Sequence, residues 1–109
     1  MVKAKVGRRK LLFMGLPKVS VVLVNFRGID DTLNAIKSIQ ESNYPKVLTE
    51  IVVVDNASGD NSVEALKKLS NQIVLVESNE NLGFAGGVNL GVSNSSGEII
   101  GFLNTFNCI

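Results

Sequence analysis

Four short runs of aliphatic residues, separated by helical patterns, constrain the fold of this chain more than any other sequence feature. The runs cover 18–24, 50–55, 73–76 and 99–103. They are nearly continuously apolar rather than alternating, which is typical of strands buried on both faces of a parallel sheet. Apolar residues at helical spacing fill the intervals between them. The order predicts an α/β domain with a parallel sheet of about four strands and flanking helices.

Polar residues predict where the helices begin. Asp30 and Asp31 are expected to cap the first helix. Asn61 with Glu64 three residues later is the pattern of a capping box for the second helix. Asn81 is expected to cap a third, glycine-rich helix.

The overall composition fits one domain and excludes several classes of partner. The 109 residues are 45% hydrophobic and 6% aromatic, without Trp, which suits a core of branched aliphatic side chains. A formal net charge of +1 gives no electrostatic reason to expect a nucleic-acid partner. A single Cys suits a reducing cytoplasm, where we expect the protein to act.

Residues 1–17 are predicted to form a basic, flexible leader before the domain. Five of the eleven Lys and Arg residues lie in the first ten positions, whereas residues 11–109 carry six basic and ten acidic residues. Gly15 and Pro17 interrupt the short apolar run that follows, so it is a poor signal peptide. The alternative is a weak contact with anionic lipid, which would place the protein peripherally at the inner face of the membrane.

Polar and glycine-rich segments follow all four predicted strands, at the edge where parallel sheets bind ligands. The segments cover 25–28, 55–60, 77–87 and 104–107. Asp55 and Asn56 are candidate ligand contacts, because a carboxylate is a poor core residue but a good partner for a base N–H or a ribose hydroxyl. Asp60 is better explained as a helix cap.

The segment from Asn81 to Asn89 joins a strand to a helix and is rich in glycine. Glycines at such a helix start allow a phosphate to approach backbone N–H groups. Close packing of the helix on the sheet explains them equally well. The spacing matches neither the dinucleotide-binding fingerprint nor a P-loop.

Together these segments resemble the family-2 glycosyltransferases of the GT-A fold. The matching stretches are 19–26, 51–60, 79–89 and 97–104. The wording Asn-Leu-Gly-Phe-Ala-Gly-Gly-Val-Asn over 81–89 is similar to the rhamnosyltransferase branch. The resemblance implies a Rossmann-like nucleotide-binding half with strand order 3-2-1-4. It also implies transfer of a sugar from a UDP- or dTDP-sugar to a glycan or lipid-linked acceptor in cell-envelope polysaccharide synthesis.

The resemblance further implies which residues bind the nucleotide. Val24 and Phe26 would flank the base and ribose, and Asp55 and Asn56 would hold the base. The glycine-rich segment would border the nucleotide and shape the donor pocket. The full set of implied nucleotide-binding residues is Val24, Asn25, Phe26, Asp55, Asn56, Asn81, Gly83, Gly86, Asn89, Asn104 and Thr105.

One departure from the family concerns the metal. In the complete family members, the fourth strand leads into an acidic motif that holds Mg²⁺ or Mn²⁺ against the diphosphate. Phe106 stands where the metal-binding Asp is expected, and its side chain offers no oxygen ligand. The chain is therefore expected to hold no metal at that position.

A second departure concerns catalysis, because the acceptor site and general base of the family come from a second half that has no counterpart here. The chain has no His, and none of its carboxylates is assigned as the base. Residues 18–109 are thus expected to be a truncated donor-binding domain, inactive alone. The alternative is a non-catalytic nucleotide-binding module that has lost its metal site. The uncharged fourth strand, at a sheet edge, also predicts self-association.

Overall fold

Strands and helices alternate along residues 15–103, which are the residues that the computed structural model describes. The strands are β1 (Val19–Asn25), β2 (Thr49–Asp55), β3 (Val74–Glu77) and β4 (Ile99–Leu103). The helices are α1 (Ile29–Gln40), α2 (Ser62–Lys67) and α3 (Gly83–Ser93), and a 3-10 turn over Lys46–Leu48 precedes β2. The predicted alternation is confirmed. β4 has its predicted bounds, whereas β3 begins and ends one residue later than predicted.

The four strands form one parallel sheet in the order β3-β2-β1-β4, which confirms the predicted topology. In the register of β1 and β2, Val19 lies opposite Thr49 and Asn25 lies opposite Asp55. The two strands therefore end at the same level. The loops after β1, β2 and β3 meet there, and we call this the carboxyl edge. The opposite side, where the strands begin, is the amino edge.

Helices cover both faces of the sheet. On one face, α1 and α2 contribute Ile36 and Leu66 to a core centred on Leu23, and these side chains are at most 2% exposed. The members of this core are Leu23, Ile36, Ile51, Val53, Leu66 and Ile73. On the other face α3 approaches β1 so closely that a Cβ on Gly91 would lie 2.4 Å from Val22 Cγ1. Small residues on α3 are thus required by packing.

The helix starts differ from the capping predictions. Asp30 and Asp31 lie inside the first turn of α1, whose N-cap is Gly28 and has no side-chain cap. The helix begins earlier than predicted because the chain leaves β1 through a tight turn, and the two carboxylates instead face the positive end of the helix dipole. Asn61 is at the N-cap of α2 without a side-chain hydrogen bond. Asp60 takes that role, since its Oδ1 accepts from the Ser62 N–H at 2.9 Å.

A half-exposed polar cluster at the amino edge ties the connection between α3 and β4 to the neighbouring strands. Glu50 Oε1 accepts from Ser20 Oγ at 2.7 Å and from the Ser96 N–H at 2.9 Å. The Gly97 N–H donates to Ser20 Oγ at 2.8 Å. Partial burial opposes the charged form of Glu50, but hydrogen bonds from Ser96 and Ser20, together with Lys18, lower its pKa below the ordinary value. We call Ser20, Glu50, Ser96 and Gly97 the Glu50 cluster.

β4 is the exposed strand of the sheet. Its side chains Ile99, Phe102 and Leu103 are 52%, 56% and 40% exposed, whereas Val52 and Val53 at the centre of β2 are fully buried. Within residues 15–103, β4 pairs with β1 alone and forms an edge of the sheet. No helix in this described part of the chain is both long and apolar enough to cross a membrane.

Candidate functional site

A buried hydrogen-bond network joins the ends of β1 and β2 at the carboxyl edge. Asp55 Oδ1 accepts from Asn25 Nδ2 at 2.9 Å and from Ser58 Oγ at 2.7 Å, and Oδ2 accepts from the Ser58 N–H at 3.2 Å. Asp55 is only 3% exposed. The expectation that a carboxylate here avoids the core is wrong, because neighbouring side chains supply the donors that burial requires.

Thr32 on α1 orients this network from the side of the helix. Its Oγ1 donates to Asn25 Oδ1 at 2.7 Å. The Asn25 amide is thereby turned so that Nδ2, the donor, faces Asp55. Thr32 was not among the predicted site residues, although a hydroxyl seven residues after Asn25, on the inward face of an amphipathic helix, was a usable signal. We call Asn25, Thr32, Asp55 and Ser58 the Asp55 cluster.

Ser58 and Arg27 link the loop after β1 to the loop after β2. Ser58 Oγ accepts from the Arg27 N–H, and the Ser58 carbonyl accepts from Arg27 Nε, both at 3.0 Å. Arg27 and Ala57 have φ angles of 52° and 62°, in the left-handed region that residues other than glycine rarely adopt. Such outliers concentrate at functional sites, where surrounding contacts hold them in place. Arg27, Ala57 and Ser58 were not among the predicted site residues, because the sequence gives no sign of a positive φ at Arg27 or Ala57.

Asn56 connects the same edge to the start of α3. Its Oδ1 accepts from the Leu82 N–H and its Nδ2 donates to the Gly83 carbonyl, both at 2.9 Å. The N-cap of α3 is Leu82 and not the predicted Asn81, which lies one residue earlier, although Asn81 Oδ1 accepts from the Gly83 N–H at 2.8 Å. Two N–H groups at this helix start therefore already have acceptors within the protein. Fewer donors remain for a phosphate than the sequence alone suggested.

The glycines of α3 divide between two roles. Gly83, at the helix start, has a φ of 73°, which a residue with a side chain adopts at a cost. A Cβ on Gly87 would lie 2.9 Å from Val24 Cγ1, so this glycine lets the helix pack on β1. A Cβ on Gly86 would lie 2.6 Å from the Leu82 Cβ, so its small size leaves room for that side chain. Packing thus accounts for Gly86 and Gly87 without a ligand.

The structure brings together most, but not all, of the predicted nucleotide-binding residues. Val24, Asn25, Asp55 and Asn56 are buried side by side at the ends of β1 and β2, and Phe26 is half-buried next to them. Asn81 and Gly83 lie at the same edge and are exposed. Asn89 is exposed in the middle of α3, well past the helix start. Asn104 and Thr105, like Phe106, lie outside the described residues.

The electrostatics of the edge do not indicate a metal centre. Within residues 15–103, no three His, Cys, Asp or Glu side chains lie together so that they could hold a metal ion. The position expected for the metal ligand is Phe106, which has no oxygen atom in its side chain. Asp60 is a capping group, and interaction with Ser62, through the side chain and the N–H, lowers its pKa below the ordinary value. Phe106 itself lies outside the described residues, so the expectation that no metal binds at that position stays a prediction.

Solved structures with the same architecture define the class of domain. A mannosyltransferase from Pyrobaculum calidifontis, PcManGT, in complex with GDP-Man and Mn²⁺, superposes with a TM-score of 0.76 at 24% identity, over 95% of this chain and 34% of that one. TarS from S. aureus, residues 1–349 in complex with UDP-GlcNAc, gives a TM-score of 0.69 at 26% identity, over 81% and 26% of the two chains. The fold is that of the Rossmann-like part of a GT-A domain.

Sequence comparison identifies the family. Residues 20–105 match the family described as Glycosyl transferase family 2, and the chain belongs to that family. The glycosyltransferase AglE from Haloferax volcanii is 32% identical over 93 residues, which is 82% of this chain and 30% of AglE. An uncharacterized glycosyltransferase of Mycobacterium tuberculosis is 28% identical over 89 residues, 82% of this chain and 34% of the relative. The chain thus spans about a third of the length of these relatives.

Proposed function

We propose that the chain is the donor-binding part of a family-2 glycosyltransferase and that its carboxyl edge binds the nucleoside diphosphate of a UDP- or dTDP-sugar. The observation that carries the proposal is the Asp55 cluster. It holds a carboxylate and an amide in fixed orientations directly below the loops where ligands of parallel α/β sheets bind. Polar groups fixed before the ligand arrives reduce the cost of binding.

The geometry supports contacts with the base better than contacts with the phosphates. Asp55 Oδ2 accepts one hydrogen bond from the protein, against two for Oδ1, and so retains capacity for an N–H of a base. The Phe26 ring is half-buried, and the Arg27 guanidinium carbon lies 5.1 Å from its centre. The part of the ring that Arg27 leaves uncovered is the apolar surface that we assign to a flat ligand. At the start of α3 the N–H groups of Leu82 and Gly83 are already bonded. We therefore assign Asp55, Asn56 and Phe26 to the base side of the site.

In the complete enzyme, the acceptor hydroxyl would displace the nucleoside diphosphate at the anomeric carbon of the sugar while a carboxylate removes its proton. The described residues supply the donor side of this reaction, and we assign the proton-accepting group to none of them. More specifically, we propose a rhamnosyl donor and a glycan or lipid-linked acceptor. This part of the proposal is based on the amino-acid sequence of residues 81–89. The alternative is a non-catalytic nucleotide-binding module, favoured by Phe106 at the metal position. Sugar transfer by the 109-residue chain would rule out that module, and it would also contradict our expectation that the chain is inactive alone.

The test compares two carboxylate-to-amide substitutions that differ in their location. We expect Asp55→Asn to weaken UDP or dTDP binding about tenfold or more, because it removes a charged acceptor while keeping the shape of the side chain. Glu50→Gln makes the same change at the amino edge and should leave the affinity unchanged. Calorimetric titration with UDP, dTDP, GDP and NAD measures both effects. Equal affinities for the two variants, or NAD binding tighter than that of UDP and dTDP, would refute the proposal.

We also propose that nucleotide binding by this chain depends little on Mg²⁺ or Mn²⁺. The reason is the absence of an oxygen ligand on Phe106 and of a suitable acidic group within residues 15–103. UDP titrations with and without Mn²⁺ should agree within a factor of about ten, which corresponds to about 1.4 kcal/mol. A larger effect of Mn²⁺ would contradict the proposal, because it would mean that the chain has a metal site that we have not assigned.

A second copy of the chain is the partner that we propose for β4. Phe102 and Leu103 are exposed on a strand that carries no charged residue and no proline. Natural edge strands usually carry a charge or a proline, which prevents pairing with another chain. Sedimentation over a concentration series should show association that Phe102→Lys reduces. The control Val47→Lys places the same charge at a residue that is 78% exposed and lies before β2. A monomer at all concentrations, or an equal effect of both variants, would contradict this partner.

A further inference from the structure

Arg27 has a rare combination of backbone and side-chain restraints for an exposed residue. Its backbone is left-handed, with a φ of 52°. Its Nε donates to the Ser58 carbonyl at 3.0 Å, and its guanidinium carbon lies 5.1 Å from the centre of the Phe26 ring. A long cationic side chain on a surface normally loses entropy when it is fixed. Here it is fixed at two points, directly above the Asp55 cluster.

The guanidinium is also the one cation at the carboxyl edge within residues 15–103. The other described basic residues lie before β1, before β2 or in the last turns of α1 and α2, which all end at the amino edge. They are Lys18, Lys37, Lys46, Lys67 and Lys68. The carboxyl edge is otherwise acidic, with Asp30, Asp31, Asp55, Asp60, Glu77 and Glu80. Within the described residues, the Arg27 guanidinium is therefore the one cationic group that an anionic or carbonyl-bearing ligand at this edge could contact.

We propose that Arg27 is a further base-binding residue, whose guanidinium forms a flat, polar wall of the base site; this rests on the proposed function. Only Nε is bonded to Ser58, so the four N–H bonds of the terminal nitrogens have no hydrogen-bond acceptor within the described residues. The Ser62 contacts and, to a smaller extent, the charge of Arg27 lower the pKa of Asp60, so that carboxylate lies near the guanidinium without a hydrogen bond to it. The terminal N–H groups can therefore donate to an exocyclic carbonyl oxygen of a pyrimidine base. Bases also stack on guanidinium planes, as they do on aromatic rings.

The base, rather than the diphosphate, is the part of the ligand that the position of Arg27 favours. Through Ser58, Arg27 is bound to the loop after β2, next to Asp55 and Asn56. β4, whose end leads to the position expected for the diphosphate metal, lies on the other side of β1 from β2. The side chain thus leans away from the place where the family holds its diphosphate.

The experiment separates base from phosphate by comparing uridine, which has no phosphate, with UDP. Both are titrated into the 109-residue chain while amide chemical shifts are followed by NMR. We expect Arg27→Asn to weaken uridine and UDP by the same factor, about fivefold or more. Asn is the chosen replacement because it tolerates the left-handed backbone. Arg27→Lys keeps the charge but lacks the planar guanidinium and its paired N–H donors, so we expect it to weaken the binding of both ligands as well.

The matched control is Lys37→Gln, which removes one positive charge from the exposed end of α1 and should change neither affinity. A loss confined to UDP, or full rescue by Arg27→Lys, would overturn the base assignment in favour of a simple electrostatic role. Unchanged affinities in Arg27→Asn would overturn it as well. Failure of the unaltered chain to bind UDP would instead overturn the proposed function, and this inference with it.

Discussion

The two polar clusters of this protein lie at opposite edges of the same pair of strands, yet they differ in almost every physical respect. At the carboxyl edge Asn25, Thr32 and Ser58 are fully or almost fully buried around Asp55. At the amino edge Glu50 is half-exposed, and it is bonded both to the buried Ser20 and to the exposed Ser96. Both clusters bond a carboxylate to serine side chains and backbone N–H groups. Burial and surroundings separate them, not residue type.

The surroundings of the clusters show what each one does. The Glu50 cluster holds the chain between α3 and β4 against β1, with no positive φ at a non-glycine residue in its neighbourhood. The Asp55 cluster adjoins both described non-glycine residues with a positive φ, Arg27 and Ala57. A cluster that only holds a connecting segment in place does not require backbone strain at neighbouring residues. The contrast favours a structural role for the Glu50 cluster and a binding role for the Asp55 cluster.

The largest expected effect on stability comes from removing each carboxylate in turn. Asp55→Ala removes the acceptor of the Ser58 hydroxyl and of the Ser58 N–H, and it leaves the Asn25 amide with its longer, 3.3 Å bond to Ser58 Oγ. We therefore expect it to lower the free energy of unfolding by about 3 kcal/mol. Glu50→Ala removes the acceptor of the buried Ser20 hydroxyl but leaves the donors of the exposed Ser96 open to water, so it should cost less, about 1 kcal/mol. Urea denaturation of both variants provides the comparison. Equal losses would mean that burial does not distinguish the two clusters.

A smaller difference is expected for the serines that bond to the carboxylates. Ser58→Ala removes the hydroxyl that accepts from the Arg27 backbone N–H and donates to Asp55, both in a buried place, and should cost about 1–2 kcal/mol. Ser96→Ala removes an exposed hydroxyl and should stay within about 0.5 kcal/mol. If Ser96→Ala proves the more damaging in thermal unfolding, the amino edge contributes more to the fold than its exposure suggests.

The smallest effect is the pH dependence of the Glu50 cluster. Because the pKa of Glu50 is lowered in the folded state, its contribution is full above the unfolded-state pKa of about 4.3 and is lost as the pH falls through the lower folded-state pKa. The difference in melting temperature between the unaltered chain and Glu50→Gln should be constant near neutral pH and shrink below about pH 4. A difference that grows in acid would contradict the direction of this shift.

Much of the fold followed from sequence patterns because those patterns are local or periodic. The bounds of β4 and the strand order were predicted, the order through the resemblance to the family. The helix starts were less accurate, since Asp30 and Asn61 are good capping residues and the turn geometry that passes them over depends on Arg27 and Asp60. Cap preferences describe a residue in isolation, whereas the turn before a helix is set by what it packs against.

The site could be predicted only in part, for a different reason. Its location followed from the polar segments after the strands, and Asn25, Asp55 and Asn56 do lie together there. Their partners did not follow, because the bonds from Thr32 and Ser58 join residues that only the register of β1 and β2 and the packing of α1 bring into contact. Asp55 was predicted as a ligand contact on the ground that a carboxylate is a poor core residue, yet it is buried, since those unforeseen neighbours supply its hydrogen-bond donors.

The most direct test of the account is to map where UDP binds by following backbone amide shifts during a titration. We predict that the residues that shift first lie in 25–28, 55–59 and 81–83, around the Asp55 cluster. The amino edge offers a competing cavity of about 430 Å³, lined in part by Tyr44, Thr49 and Gln72. Shifts centred on that cavity, with the carboxyl edge unchanged, would contradict the assignment of the nucleotide site.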